Sequence, residues 1–358
     1  MSKMLADGRM KRKAVTIRDV AAAAGVTPMT VSNVINGRTN EVSRETFARV
    51  MEMCRSLGYR PHASARRLRT DRRMAVGVVI VDPSPHYLAD PFIAALLAGL
   101  NESLAASGYS IVLHGAVPEK IAALPMMQRI ETDALCIFLA GTRAERQRLL
   151  ADLAALGQPL VLLQEDLADF EGGGPGLSDV CALVQDDFGG GAEVARHVLE
   201  GGARRIAMLV PGAVWSAMER REAGVRAVLA RQADPPALEL VRCGDEGYAD
   251  TQHAFAAYLA ERGVPDVVIG GNDQMAIAAM NLLTSRGRRV PEEVRVTGFN
   301  GFEIWRYATP TLTTVFSPAF AIGRQAGEAI LTRLAEGRFA ARQITLPVTF
   351  APNLSSAR

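Results

Sequence analysis

The chain has 358 residues, 49% hydrophobic, 22% charged and only 6% aromatic, which suits two or three domains with a sizeable core and excludes a small fragment. Its net charge of +2 hides a split: residues 1–73 carry 16 Lys/Arg against 6 Asp/Glu, a net of +10, and the rest carries 24 against 32, a net of −8. A basic head on an acidic body points to a polyanion as partner of the head.

Residues 1–13 form a basic arm ending in Lys11-Arg12-Lys13, without the apolar stretch of a signal peptide. A three-helix head over 14–60 follows. Thr16 caps a first helix with Asp19 in its first turn, Ile17, Val20, Ala21 and Ala24 make its apolar stripe, and Gly25 stops it. Thr27 and Pro28 open a second helix that runs to Asn36-Gly37. A third spans 43–57, with Phe47, Val50, Met51, Cys54 and Leu57 at helical spacing. The small polar residues Thr27, Thr30, Ser32 and Asn33 give the second helix the character of one that enters a DNA groove. Residues 61–73 are a short basic segment.

From Met74 onward apolar strand-like runs alternate with amphipathic helices, the pattern of an α/β body built on doubly wound parallel sheets. Strands are expected at 76–81, 110–114, 134–139, 160–163, 205–210, 267–269 and 295–298, with helices such as 92–107, 190–201, 217–232, 251–263 and 274–286 between them. Two lobes fit this count. The glycine-rich stretch 171–178 reads as the lobe boundary, which gives lobe 1 residues 74–170 and 299–325 and lobe 2 residues 179–298 and 326–358.

In order and spacing, Thr16-Ile17-Arg18-Asp19-Val20-Ala21, Ala24-Gly25-Val26-Thr27, Thr30-Val31-Ser32, Ile35-Asn36-Gly37 and Leu57-Gly58-Tyr59-Arg60-Pro61 resemble the DNA-binding domain of the LacI family of transcriptional regulators, with Met29-Thr30-Val31-Ser32 similar to its gluconate-type members. The resemblance continues through Asp90-Pro91-Phe92, Asp187 with Gly191-Ala192, Arg221 with Gly224, Asn272-Asp273-Gln274 and Pro310-Thr311-Leu312-Thr313-Thr314. It implies that Pro28, Met29 and Asn33 read base edges, with Asn33 as the principal specificity residue, while Thr16, Thr27, Thr30 and Ser32 touch phosphates. It also makes 61–73 a hinge in which Leu68 wedges into the minor groove between Arg66 and Arg69.

For 74–358 the resemblance implies a periplasmic-binding-protein-like domain for effector binding and dimerisation, with a cleft at the carboxyl ends of the strands. Asp90, Phe92, Gln164, Trp215, Arg221, Asn272 and Asn300 are its expected lining. Gln164 and Asn300 stand where the family often has aspartate, so a ligand with its own negative charge, a sugar acid or sugar phosphate, is expected beside Arg221, with neutral sugars as the alternative. Trp215 and Phe92 are candidates for stacking on a sugar face.

An enzyme needs a constellation, and the chain has no GxSxG, HExxH, Walker A or strand-linked GxGxxG motif; Gly189-Gly190-Gly191 lacks the Lys-Ser/Thr of a phosphate loop and reads as packing at a helix entrance. Cys54, Cys136, Cys181 and Cys243 lie far apart without a CxxC pair, so neither metal nor disulfide is indicated, and no cofactor is expected. No run of 18 apolar residues suggests a membrane span. The expected protein is a cytoplasmic, homodimeric, non-enzymatic regulator whose partners are operator double-stranded DNA and a small carbohydrate; a sugar-binding receptor without a gene-regulatory role is the alternative.

Overall fold

A computed structural model describes residues 15–35, 42–59, 72–82, 87–170, 177–244 and 246–357. The chain divides between Arg72 and Arg73 into two units. In the first, α1 (Ile17–Ala24), α2 (Pro28–Ile35) and α3 (Arg44–Ser56) surround a core of Val20, Ala21, Ala24, Val31, Val34 and Val50. Local chemistry sets the helix ends. Thr16 and Asp19 cap α1 reciprocally, Gly25 at φ +63° closes it, and Ser43 caps α3 by accepting from the Thr46 N–H. Arg49 Nε donates to the Ala24 carbonyl at 3.0 Å and ties α3 to the end of α1.

The second unit holds β1 (Ala75–Val81), α4 (Pro91–Ala106), β2 (Ser110–Ala116), β3 (Ala134–Leu139), α5 (Arg143–Ala154), β4 (Leu160–Leu163), β5 (Val180–Gln185), α6 (Asp187–Glu200), β6 (Arg205–Pro211) and α7 (Ser216–Leu229). It continues through β7 (Ala237–Cys243), α8 (Tyr248–Arg262), β8 (Val267–Gly270), α9 (Asp273–Ser285), β9 (Arg295–Thr297), β10 (Thr314–Phe316), α10 (Ala319–Glu336), β11 (Gln343–Leu346) and β12 (Thr349–Ala351). Lobe 1 is built on a parallel sheet ordered β11-β5-β4-β3-β1-β2, and lobe 2 on a parallel sheet ordered β7-β6-β8-β9. Among the described residues no helix is long and apolar enough to cross a membrane.

The lobe boundary expected at 171–178 lies instead at Gln185–Asp187, because β5 joins the first sheet in register with β4, Leu160 facing Val180 and Leu163 facing Leu183. Residues 179–185 therefore belong to lobe 1. Residues 299–316 belong to lobe 2, where Phe299 and Val315 sit in the core with β6 and Leu312 in the core with β8. Residues 326–336 of α10 and strand β11, placed in lobe 2 from the sequence, belong to lobe 1 with the start of α10: Ile322, Ala326 and Ile330 pack with Leu96 and Leu100 of α4, and β11 pairs with β5. A Cβ on Gly323 would lie 1.9 Å from the Leu96 carbonyl oxygen, so glycine is what lets α10 and α4 meet backbone to backbone.

Among the described residues three chain crossings thus join the lobes, at 185–187, 316–319 and 346–349, and they are fastened to one another. Asp186 N–H donates to Leu346 O at 2.9 Å, the Ser317 hydroxyl to Gln185 Oε1 at 2.6 Å, and β10 pairs antiparallel with β12.

Candidate functional site

Both sheets reverse their strand order, between β1 and β3 in lobe 1 and between β6 and β8 in lobe 2, and a parallel sheet leaves a crevice at such a point beyond its carboxyl ends. The two crevices face each other across one cleft of about 920 Å³. Asp82 and Leu139 enter it from the ends of β1 and β3, Pro211 and Asn272 from the ends of β6 and β8. All seven residues expected to line the cleft do so: Asp90, Phe92, Gln164, Trp215, Arg221, Asn272 and Asn300.

Each is held by its element. Asp90 caps α4 by accepting the Phe92 N–H at 2.9 Å, and Phe92 stacks on Phe138, which in turn meets Trp215 of the other lobe at a 5.0 Å centroid distance. Asn272 is the cap of α9, accepting the Met275 N–H at 2.9 Å, and its amide donates to Glu246 at 2.6 Å. Asp273 sits behind it as the first residue of the helix and is buried, accepting from Thr314 Oγ1 at 2.6 Å and Gly301 N at 2.8 Å.

The centre of the cleft is built around Arg221. Arg221 is only 5% exposed, and its guanidinium is already engaged: Nε donates to Asp187 at 2.8 Å, Nη1 to the Gly271 carbonyl at 2.7 Å and Nη2 to Asn300 Oδ1 at 3.0 Å, with Cζ 3.8 Å above the Phe299 ring. The charge opposite Arg221 is that of Asp187, fully buried at the start of α6, which also accepts from Arg220 Nη2 at 3.0 Å and Gln185 Nε2 at 2.8 Å. Gln164 accepts the Gln185 N–H at 3.0 Å through its Oε1. Among the described lining residues the charged groups are Asp82, Asp90, Glu165 and Glu246 against one guanidinium, that of Arg221, in an otherwise mostly apolar wall. Burial pushes Asp90 up to about 6, against the pull of the Phe92 N–H and Arg221.

In the head, Thr27, Pro28 and Met29 are exposed at the start of α2, Met29 to 67%, with Thr30 and Ser32 half-buried and Thr16 exposed ahead of α1. Thr27 caps α2 by accepting the Thr30 N–H at 3.1 Å. Asn33, expected to read bases, is 8% exposed; helical spacing sets it about 160° around α2 from the core residue Val31 and about 100° from Val34. Arg66, Leu68 and Arg69 lie outside the described residues.

Against known proteins, the transcriptional regulator CelR of Thermobifida fusca is 31% identical over 328 residues, covering 90% of this chain and 93% of CelR. The chain belongs to the LacI family of bacterial regulatory proteins. The family's own model matches residues 16–62 and a periplasmic binding protein-like domain matches 195–356, so this LacI-family regulator carries its helix-turn-helix at the head. A solved complex of CelR with cellobiose superposes at a TM-score of 0.69 with 26% identity, over 96% of this chain and all of that one. A lac repressor dimer bound to operator and an anti-inducer shares the fold at a TM-score of 0.81 and 24% identity, over 97% of this chain and all of that one.

Asp187, Arg220, Glu165 and Glu246 complete the site and were not singled out as site residues from sequence. Asp187 stood among the family-like positions, and the neighbouring Arg220-Arg221 pair was the available sign that a buried acid had to be found for it. The Gly189-Gly190-Gly191 run is packing, as a Cβ on Gly191 would come within 2.2 Å of the Arg221 carbonyl oxygen.

Burial pushes Asp273 up to about 7 in spite of its hydrogen bonds from Thr314 and Gly301, so the folded chain keeps a proton that the unfolded chain releases above about pH 4. Its contribution to stability is therefore largest in acid and is lost as pH rises from about 4 to about 7. Thermal unfolding followed between pH 5 and 8 is expected to show Asp273→Asn with a shallower decline than the parent; parallel curves would contradict this.

Proposed function

We propose that this regulator binds operator DNA as a homodimeric repressor and that its operator affinity is set by a neutral carbohydrate of more than one ring held in the cleft. The observation that carries the reading is the cleft itself, formed where the switch points of both sheets meet and built into a chain that begins with a helix-turn-helix unit. At about 920 Å³ it lies at the upper end of small-molecule sites, about 300–1,000 Å³, which suits a ligand larger than one sugar ring. The lining supports hydroxyl donors facing Asp90 and Glu246 and apolar faces on Phe92 and Trp215. A sugar acid or phosphate would meet the carboxyls of Asp82, Asp90 and Glu246 and a guanidinium with three of its five N–H donors already used within the protein, so the electrostatics favour the neutral class. The cellobiose carried by CelR and the operator carried by the lac repressor dimer are in keeping with this assignment. On the head, the exposed Thr27, Pro28 and Met29 are the side chains we assign to DNA, with Thr16, Thr30 and Ser32 on phosphates.

A thermal-shift screen with cellobiose, glucose, gluconate and glucose 6-phosphate tests the effector class. A ligand at a hundred times its dissociation constant adds about 2.7 kcal/mol of stability, and the upward shift is expected from a neutral sugar. A shift from gluconate or the phosphate alone would overturn the neutral assignment.

A further inference from the structure

Beside the cleft, one short segment of lobe 2 reaches across to lobe 1 at several points. The Gly141 N–H donates to the Val214 carbonyl at 2.8 Å, Arg220 Nη2 to the Gln164 carbonyl at 3.2 Å, and Trp215 lies against Phe138. Between them runs an ion pair whose two members do not line the cleft, although Glu165, which Arg146 also contacts, does: Arg146 of α5 donates through Nη2 to Glu219 of α7 at 3.1 Å.

The two ends of that pair differ in their surroundings. The Arg146 side chain is 1% exposed and among the described residues is otherwise bound within lobe 1, by Nη1 to the Gly141 carbonyl at 2.6 Å and by Nε against Glu165 at 3.2 Å. Glu219 is 53% exposed, so it can separate into water at little cost. Arg146 cannot, because a guanidinium enclosed in protein depends on charge brought to it. Burial also pushes the Glu165 carboxyl up to about 8 despite Arg146 and Arg220 nearby, which makes the carboxylate from the other lobe the charge that matters to Arg146.

We infer that Arg146 and Glu219 form an electrostatic latch outside the ligand site that sets the lobe-closure equilibrium of the empty protein. A ligand that binds only the closed lobes binds less tightly by the fraction of molecules found open. The latch therefore tunes ligand affinity without contributing an atom to recognition. It holds whichever ligand fills the cleft and whichever DNA the head binds.

The test uses the full chain with neither ligand nor DNA, so its outcome is separate from that of the proposed function. The chain has two tryptophans, and Trp305→Phe leaves Trp215, at the seam, as the single fluorophore. In that background Glu219→Gln is expected to raise acrylamide quenching of Trp215 and hydrogen exchange at the Gly141 amide by up to about fivefold, the span of a partly exposed ion pair. Glu219→Lys is expected to raise both further. Glu222→Gln, on the same helix but paired with Arg226, is expected to change neither. Unchanged quenching and exchange in both Glu219 variants would overturn the latch. So would a rise shared equally by the buried amides of 160–163, which reports general loosening rather than lobe opening.

Discussion

Replacing Asp187 with Asn is expected to destabilise the body by about 3–5 kcal/mol, the cost of removing one partner from a buried ion pair. Asp187 is fully buried and is the carboxylate that Arg220 and Arg221 share, so the substitution leaves two guanidiniums side by side whose remaining hydrogen bonds among the described residues go to carbonyl, amide and hydroxyl oxygens. For a body of this size the melting temperature should fall by roughly 10 °C. Because the excess is one positive charge too many, Arg220→Gln added to Asp187→Asn should recover part of the loss, a coupling that a double-mutant cycle reads directly. Calorimetry showing Asp187→Asn melting with the parent would mean that the pair of arginines is balanced elsewhere, and the site would need to be redrawn.

Removing the head should have the largest effect on DNA. A chain of residues 73–358 begins at the division between the two units and retains the cores of both lobes. A duplex selected from a random pool by the full chain should bind at physiological salt at least about a thousandfold more tightly than a scrambled duplex, with a steep loss as salt rises. The truncated chain should show neither preference nor salt slope, yet keep any thermal shift given by the sugar screen. Should the full chain bind selected and scrambled duplexes alike, the regulator reading fails at the operator; should the truncated chain lose the sugar response, the cleft has been misassigned.

Much of this was legible in the sequence where the cause is local. Thr16 with Asp19, Gly25 and Ser43 mark the head's helix ends because capping is decided within a turn. The alternation of strands and helices shows a parallel α/β body for the same reason. Assignment to lobes was not legible, because it depends on which strand each new strand pairs with. Val180–Gln185 follows a glycine-rich stretch that reads as a boundary, yet hydrogen bonds back to β4 rather than opening the second sheet. The cleft residues could be named through the family likeness, but their duties could not. Arg221 looks like a free fork of donors until Asp187, Gly271 and Asn300 are brought to it from three other elements.

Two lobes on a single strand of chain could swivel about it in any direction. Here three strands run side by side and are fastened by the Asp186 to Leu346 bond, the Ser317 to Gln185 bond and the β10–β12 pairing. Twisting about one of them would stretch the other two, so the easy motion left is a bend about the line that joins all three. The body then behaves as a lever with one degree of freedom: whatever fills the cleft, large or small, can report only how far along that single arc the lobes have come to rest.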